Sequence, residues 1–230
     1  MRYLGSKHTL SAELVPFIKK ALEVFPMGKY IEPFVGGANM IDKVNHHTRI
    51  GYDANPYLIA LLKEAQAQSE ALRYSGCISR DAHSYVKSNK EQFQQWYVGA
   101  MGLFPTRLNL WMAPYKQDRP VQRFSSAIKN LLKQNLNQIK LVNCDYKNIP
   151  IGKGNVIYCD PPYKSFDYYK MPFNHDEFYD WVRLASKNNI VLVSEYEMPG
   201  DFTCIWQKSV RPRINGRLGK KVEKLFICTQ

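Results

Sequence analysis

A chain of 230 residues, 45% hydrophobic and 23% charged with 13 Gly and 13 Pro, has the make-up of an ordinary globular protein, which excludes disordered, collagenous and low-complexity classes. At this length one domain, or one domain with a small insertion, buries a sizeable core without disulfide or metal staples. The formal net charge of +12 is concentrated in two segments, residues 105–140 and residues 205–224, each carrying +6, while the rest of the chain sums to zero; a neutral body with two basic stretches suits the regular phosphates of nucleic acid, the plain alternative being a solvated basic surface.

The first predicted element is a helix over Leu10–Phe25, where Leu14, Val15, Ile18 and Leu22 recur at helical spacing and Pro26 stops it. A short strand at Lys29–Glu32 follows, then a helix over Asn39–Asn45, a strand at Arg49–Tyr52 and a helix over Pro56–Gln68. Helical patterns cover Ala82–Tyr97 and Val121–Ile139, strands fall at Leu141–Cys144, Asn155–Cys159 and Asn189–Ser194, and a helix at His175–Lys187 separates the last two. Such alternation predicts an α/β fold with a mostly parallel sheet. The pattern then changes to two runs, Phe202–Val210 and Val222–Cys228, joined by the basic loop Arg211–Lys221, which predicts a C-terminal antiparallel hairpin at the sheet edge. Residues 75–138 interrupt the alternation and read as a small, mainly helical insertion.

Asp160-Pro161-Pro162-Tyr163 directly follows the apolar strand NVIYC, and open α/β sheets bind ligands beyond the carboxyl ends of their strands. Chance places this tetrapeptide in a chain of this length about once in a thousand, although a Pro-Pro step is also a plain strand exit. Glu32-Pro33-Phe34-Val35-Gly36-Gly37-Ala38-Asn39-Met40 follows the first strand, and paired glycines there let a ligand approach the backbone, or serve the turn alone. Gly51-Tyr52-Asp53-Ala54-Asn55-Pro56 ends the second strand with an acid placed to accept both hydroxyls of a ribose. Asp53 is alternatively a helix cap, but Asn55, directly before a first-turn proline, is the better cap.

Neither cysteines nor histidines form a ligand set. Cys77, Cys144, Cys159, Cys204 and Cys228 are scattered without a C-x-x-C pair, His46 and His47 are adjacent, and His8, His83 and His175 stand alone. Reduced thiols and no metal are expected. No apolar run approaches the roughly 18 residues of a membrane span, and MRYLGSKHTL has no signal-peptide core, so a cytoplasmic protein without a membrane partner is expected.

Together these residues resemble the Dam-type adenine-N6 DNA methyltransferases. The likeness runs through Arg2-Tyr3-Leu4-Gly5-Ser6-Lys7, EPFVGGANM, GYDANP, Cys144-Asp145-Tyr146, DPPY and Ser194-Glu195-Tyr196, in the family's order, with the insertion between glycine motif and DPPY. It implies a Rossmann-like methyltransferase sheet with residues 1–74 and 139–230 as the S-adenosyl-L-methionine (SAM) binding catalytic domain, and 75–138 as an inserted target-recognition region. It implies SAM as cofactor, S-adenosylhomocysteine as product, no metal, and double-stranded DNA as partner. Tyr3, Lys7, Glu32, Pro33, Phe34, Gly36, Gly37, Asn39, Asp53 and Asp160 are the implied cofactor positions, with Asp145 and Tyr146 near the SAM adenine. Asp160, Pro161, Pro162 and Tyr163 are the implied catalytic set, Tyr163 stacking on the target base. The chain departs from the family in having Tyr3 where Trp is frequent and Gly36-Gly37 where G-x-G is frequent. Its insertion does not disclose a target site, and monomer and dimer remain open.

The target amine lies inside a duplex, so the base must be extruded. The aromatic run Ser165–Phe173 is the candidate flap over it, or else surface aromatics folded under the next helix. Arg107, Lys116, Arg119 and Arg123 in the insertion, with Arg211, Arg213, Arg217 and Lys220 in the terminal loop, are the candidate phosphate contacts. The competing readings are transfer to cytosine N4 or RNA adenine, and a catalytically idle DNA-binding protein.

Overall fold

The computed structural model describes residues 1, 3, 5–73, 79–106, 120–164, 173–210, 213–214, 217–218 and 221–228. In chain order the strands are β1 (Tyr30–Glu32), β2 (Arg49–Asp53), β3 (Ile139–Asn143), β4 (Val156–Cys159), β5 (Ile190–Glu195), β6 (Phe202–Val210), β7 (Arg213–Ile214), β8 (Arg217–Leu218) and β9 (Lys221–Cys228). The helices are α1 (Ser11–Val24), α2 (Pro56–Gln66), α3 (Glu70–Arg73), α4 (Arg80–Ser88), α5 (Gln95–Leu103), α6 (Pro120–Leu132) and α7 (His175–Ser186).

Seven strands form one sheet in the order β3-β2-β1-β4-β5-β9-β6, the first five mutually parallel. β9 lies antiparallel between β5 and β6, so the C-terminal strand is threaded inside the sheet and β6 is its edge. The small pair β7 and β8 stands apart, in what the sequence presents as a basic loop. This is the expected α/β fold, mostly parallel with antiparallel C-terminal strands. The strand order reverses between β1 and β4, the kind of switch point at which doubly wound sheets open a ligand crevice.

Both sheet faces are covered, so alternate residues of one strand enter different cores. Tyr30, Val156, Tyr158, Leu192 and Leu225 pack with residues of α1, α2, α5 and α6. Ile31, Ile157, Cys159, Val191, Val193 and Phe226 pack on the other side with Phe178 and Val182 of α7. The helices between α3 and β3 share the first of these cores: Val98 and Met101 of α5 and Ile128 and Leu131 of α6 belong to it. At Gly99 a Cβ would lie 2.3 Å from the Tyr57 carbonyl oxygen, so only glycine lets α5 approach α2 this closely.

Three predicted helices differ. Asn39–Asn45 yields only a 3-10 turn at Ile41–Lys43. The Lys43 ammonium takes the Asn39 carbonyl at 2.5 Å, and the Lys43 N–H bonds Met40 instead, so the α ladder never starts. Ala82–Tyr97 is two helices, α4 and α5, because the Asn89 side chain donates to the Tyr85 carbonyl (2.8 Å) and ends the first. Val121–Ile139 stops at Leu132, and Ile139 begins β3, two residues earlier than the sequence pattern indicates. Asn55 does cap α2, accepting from the Tyr57 and Leu58 N–H groups, with Pro56 in the first turn.

Candidate active site

Three groups of side chains gather beyond the carboxyl ends of β1, β2, β3 and β4, around the switch point. The first surrounds the glycine turn. Gly36 (φ +48°) and Ala38 (φ +54°) both adopt left-handed backbone, a conformation that glycine takes freely and alanine at a cost. Asp53, at the end of β2, accepts from the Gly36 N–H at 3.1 Å and from the Asn55 N–H at 2.9 Å, one carboxylate oxygen each. Burial raises its carboxyl to about 6 despite these two donors. Tyr3 packs on the turn: a Cβ at Gly37 would lie 3.0 Å from Tyr3 Cβ and 2.6 Å from Asn39 Nδ2. Asn39 Nδ2 in turn donates to the Met1 carbonyl. Gln134, just past α6, donates from Nε2 to the Gly37 and Ala38 carbonyls at 3.0 Å each.

No sequence pattern marks Gln134, because its partners lie almost a hundred residues away. Gln134→Ala leaves carbonyls of a left-handed turn without their donor, and should lower unfolding free energy by about 1–3 kcal/mol. Urea denaturation checks this, and an unchanged midpoint removes Gln134 as the brace of the turn.

The second group is aromatic. Phe34, Tyr146, Phe173 and Phe178 pack with ring centroids between 5.3 and 5.8 Å apart. Asp145 caps the turn that presents Tyr146, accepting from the Lys147 N–H at 3.0 Å. The buried Tyr146 hydroxyl has no hydrogen-bond partner among the described residues, and burial pushes it up to about 12. Glu32 belongs to neither group: it is buried, accepts from the Tyr30 hydroxyl at 2.7 Å, and burial holds its carboxyl well above the usual range. Pro33 beside it is also buried.

The third group contains the DPPY residues. The Lys7 ammonium, 4% exposed, lies 2.8 Å from Asp160 Oδ1 and 3.9 Å from Glu223 Oε2, donates to the Gly5 carbonyl at 2.9 Å, and stands 4.5 Å from the Tyr163 ring centroid. Burial raises the Asp160 carboxyl to about 6; Lys7 pulls it down and Glu223 pushes it up. The Tyr163 hydroxyl donates to Glu223 at 2.8 Å and its ring meets Tyr196 edge-on. That ring is buried, so a base stacking on it must displace part of this packing. Glu195, at the end of β5, accepts from the Tyr196 and Lys164 N–H groups and is raised by burial to about 7. His175 Nε2 lies 3.0 Å from the Pro162 carbonyl. A carbonyl only accepts, so this nitrogen carries the proton and pins the Pro-Pro turn to the start of α7.

No sequence motif marks Glu223 or His175 as a site residue, and Glu195 stands in the sequence only as part of Ser194-Glu195-Tyr196. Glu223 has one signal, being the sole acid among the seven Lys and Arg of residues 205–224. Arg107, Lys116, Arg119, Arg211 and Lys220 lie outside the described residues, as do the side chains of Arg123, Arg213 and Arg217. Of the flap Ser165–Phe173, only Phe173 is described, in the aromatic group. Among the described residues no three His, Cys, Asp or Glu side chains converge as metal ligands, and no helix is long and apolar enough to cross a membrane.

Residues 3–102 match the family of D12 class N6 adenine-specific DNA methyltransferases; the matched stretch holds the glycine turn and Asp53 and ends ahead of Asp160. Among solved structures, the chain is similar to the Haemophilus influenzae protein HI0767, provisionally described as a methylase, with 13% identity over 97% of this chain and 96% of that one at a TM-score of 0.34. A likeness that distant says nothing about activity. No curated protein matches the chain.

Proposed function

From the match of residues 3–102 to the D12 class, which supports a Dam-type adenine methyltransferase, we propose that the chain transfers the methyl group of SAM to N6 of an adenine extruded from double-stranded DNA. The observation that carries this reading is the convergence of the Asp53-braced glycine turn and the Lys7–Asp160 pair at one strand switch point. The residues present fit the cofactor. Gly36 holds a left-handed backbone (φ +48°) that lets the turn run close to a ligand, Asp53 offers carboxylate oxygens for ribose hydroxyls, and the Tyr146 hydroxyl, without a hydrogen-bond partner among the described residues, marks a place where a polar ligand edge fits. Tyr3, Phe34, Asn39 and Asp145 are proposed as further cofactor contacts, and bound SAM would supply the methyl in activated form.

The chain's own task is to make a poor nucleophile competent. The N6 lone pair is delocalised into the adenine ring and must be drawn toward a tetrahedral nitrogen. The Asp160 carboxylate and the Pro161 carbonyl accept the two N6 hydrogens, and both interactions strengthen as positive charge develops on nitrogen. With its carboxyl at about 6, Asp160 is mostly ionised at neutral pH. Lys7 orients it, His175 steadies the Pro-Pro turn, and Tyr163 supplies the ring for the extruded base. No step calls on a metal or a side-chain nucleophile.

Residues 75–138 are proposed as the target-recognition region on a catalytic body of 1–74 and 139–230. Arg107, Lys116, Arg119, Arg123, Arg211, Arg213, Arg217 and Lys220 are proposed as phosphate contacts. Replacing Arg211, Arg213 and Arg217 together by Ala should flatten the dependence of log affinity for DNA on log salt by about 2–3 units of slope. An unaltered slope moves the contacts elsewhere.

The test is methyl transfer from labelled SAM to unmethylated genomic DNA and to RNA, followed by nucleoside analysis. N6-methyladenine in DNA is the expected product. Label in cytosine or only in RNA overturns the substrate, and tight DNA binding without transfer overturns the enzyme reading.

A further inference from the structure

The charged cluster behind the DPPY turn contains one carboxylate that the proposed chemistry leaves unused. Glu223 comes from β9, and its Oε2 accepts the Tyr163 hydroxyl at 2.8 Å and lies 3.9 Å from the ammonium of Lys7. Lys7 is already bonded to Asp160 at 2.8 Å, so one buried cation stands between two carboxylates. Its side chain is 4% exposed, that of Glu223 12% and that of Asp160 21%, so water screens these charges weakly. Tyr163 closes the ring of contacts, with its hydroxyl on Glu223 and its face under Lys7. Every other charge in residues 205–224 is positive, and the residues before Glu223 in this segment lead back through β8 and β7 to β6.

We propose that Glu223 is a positioning residue for the Asp160–Tyr163 pair: its carboxylate anchors the Tyr163 hydroxyl and competes with Asp160 for Lys7, so the C-terminal hairpin holds the DPPY side chains in their working arrangement. The role rests on the methyl-transfer function proposed for the chain. Glu223 touches neither the target base nor the transferred methyl in it. It acts through two residues that do touch substrate or orient the one that does.

Two independent consequences arise from the chemistry of a carboxylate in this place. The charge of Glu223 makes ionised Asp160 less favourable, in opposition to Lys7. The other groups facing Asp160 are Tyr163, Tyr196, which also hydrogen-bonds Glu223, and Glu32, Glu195, Tyr158 and Cys159. Glu223→Gln keeps an oxygen for the Tyr163 hydroxyl but removes the charge, so it should shift the Asp160 titration down by about one pH unit. Glu223→Ala removes anchor and charge together, and should lower kcat by about tenfold or more through a loosened Tyr163. The loss should shrink when the hydroxyl is already absent, as in Tyr163→Phe.

The experiment is a carbon-13 NMR titration of aspartate carboxyls in the free protein, with the Asp160 resonance identified by its loss in Asp160→Asn. It compares the unsubstituted chain with Glu223→Gln and needs neither DNA nor SAM. A downward shift of the Asp160 midpoint, matched by a downward shift of the acid limb of turnover, supports the role. An unmoved midpoint overturns it, as does full additivity of Glu223→Ala and Tyr163→Phe in a double-mutant cycle of kcat. Glu223→Gln remains informative if Glu223→Ala fails to fold. Absence of methyl transfer by the unsubstituted chain sinks the proposed function alone, since the midpoint shift is read without turnover.

Discussion

Asp160→Asn is expected to lower methyl transfer by about a thousandfold while making the protein more stable at pH 7. The first effect comes from the loss of a charged acceptor whose interaction with N6 grows in the transition state, a class of contact worth two to three orders of magnitude in rate. The second comes from linkage. Burial raises the Asp160 carboxyl from 3.8 in an unperturbed aspartate to about 6 in the folded chain, so the folded state binds this proton more tightly than the unfolded one. The stability associated with that proton is fully present below about pH 3.8 and is lost as pH rises through about 6. Above pH 6 the fold carries an ionised carboxylate at a cost on the order of 3 kcal/mol, which a neutral amide avoids. Thermal unfolding at pH 7 checks the gain, and labelled-SAM turnover checks the loss. Retained turnover takes Asp160 out of the mechanism, and a variant no more stable than the parent shows that Lys7 compensates the charge in full. In the unsubstituted chain the same carboxyl should set the acid limb of turnover near pH 6.

Asp53→Ala is expected to weaken SAM binding by about a hundredfold or more. Two hydrogen bonds from ribose hydroxyls to a carboxylate are each worth about 1.5–3 kcal/mol when the acceptor is charged. The substitution also strips the Gly36 and Asn55 N–H groups of their acceptor, which loosens the turn against which the cofactor is proposed to lie. Because burial raises Asp53 to about 6, SAM affinity should fall by up to tenfold per pH unit below pH 6 and level off above it. Isothermal titration calorimetry across pH 5 to 8 reads both effects. An unchanged dissociation constant in Asp53→Ala contradicts the ribose role, whereas a pH-independent affinity in the parent assigns the binding to groups other than Asp53 and Asp160.

The two predictions differ in how far they rest on sequence. Asp53 and Asp160 are legible there because each ends a short apolar strand, and strand, turn and helix start are encoded within a dozen neighbouring residues. Their environment is not legible. That both titrate near pH 6 depends on burial by residues from distant parts of the chain. For Asp160 it also depends on Lys7, 153 positions earlier, and Glu223, 63 positions later.

Sequence by itself determined the alternation of elements, the mostly parallel sheet, the capping of α2 by Asn55 and the position of both motifs at strand ends, since periodicity, caps and turns are local properties of the chain. It misjudged Asn39–Asn45 and Ala82–Tyr97 because the Lys43 ammonium and the Asn89 amide claim carbonyls that helical spacing alone assigns to the backbone. Only the tertiary structure decided which distant residues complete the site. Insertion of β9 between β5 and β6 carries Glu223 behind Tyr163, and the end of α6 carries Gln134 under the glycine turn. Long-range strand pairing and helix packing choose such partners through the burial of whole elements, and no short window of sequence records that choice.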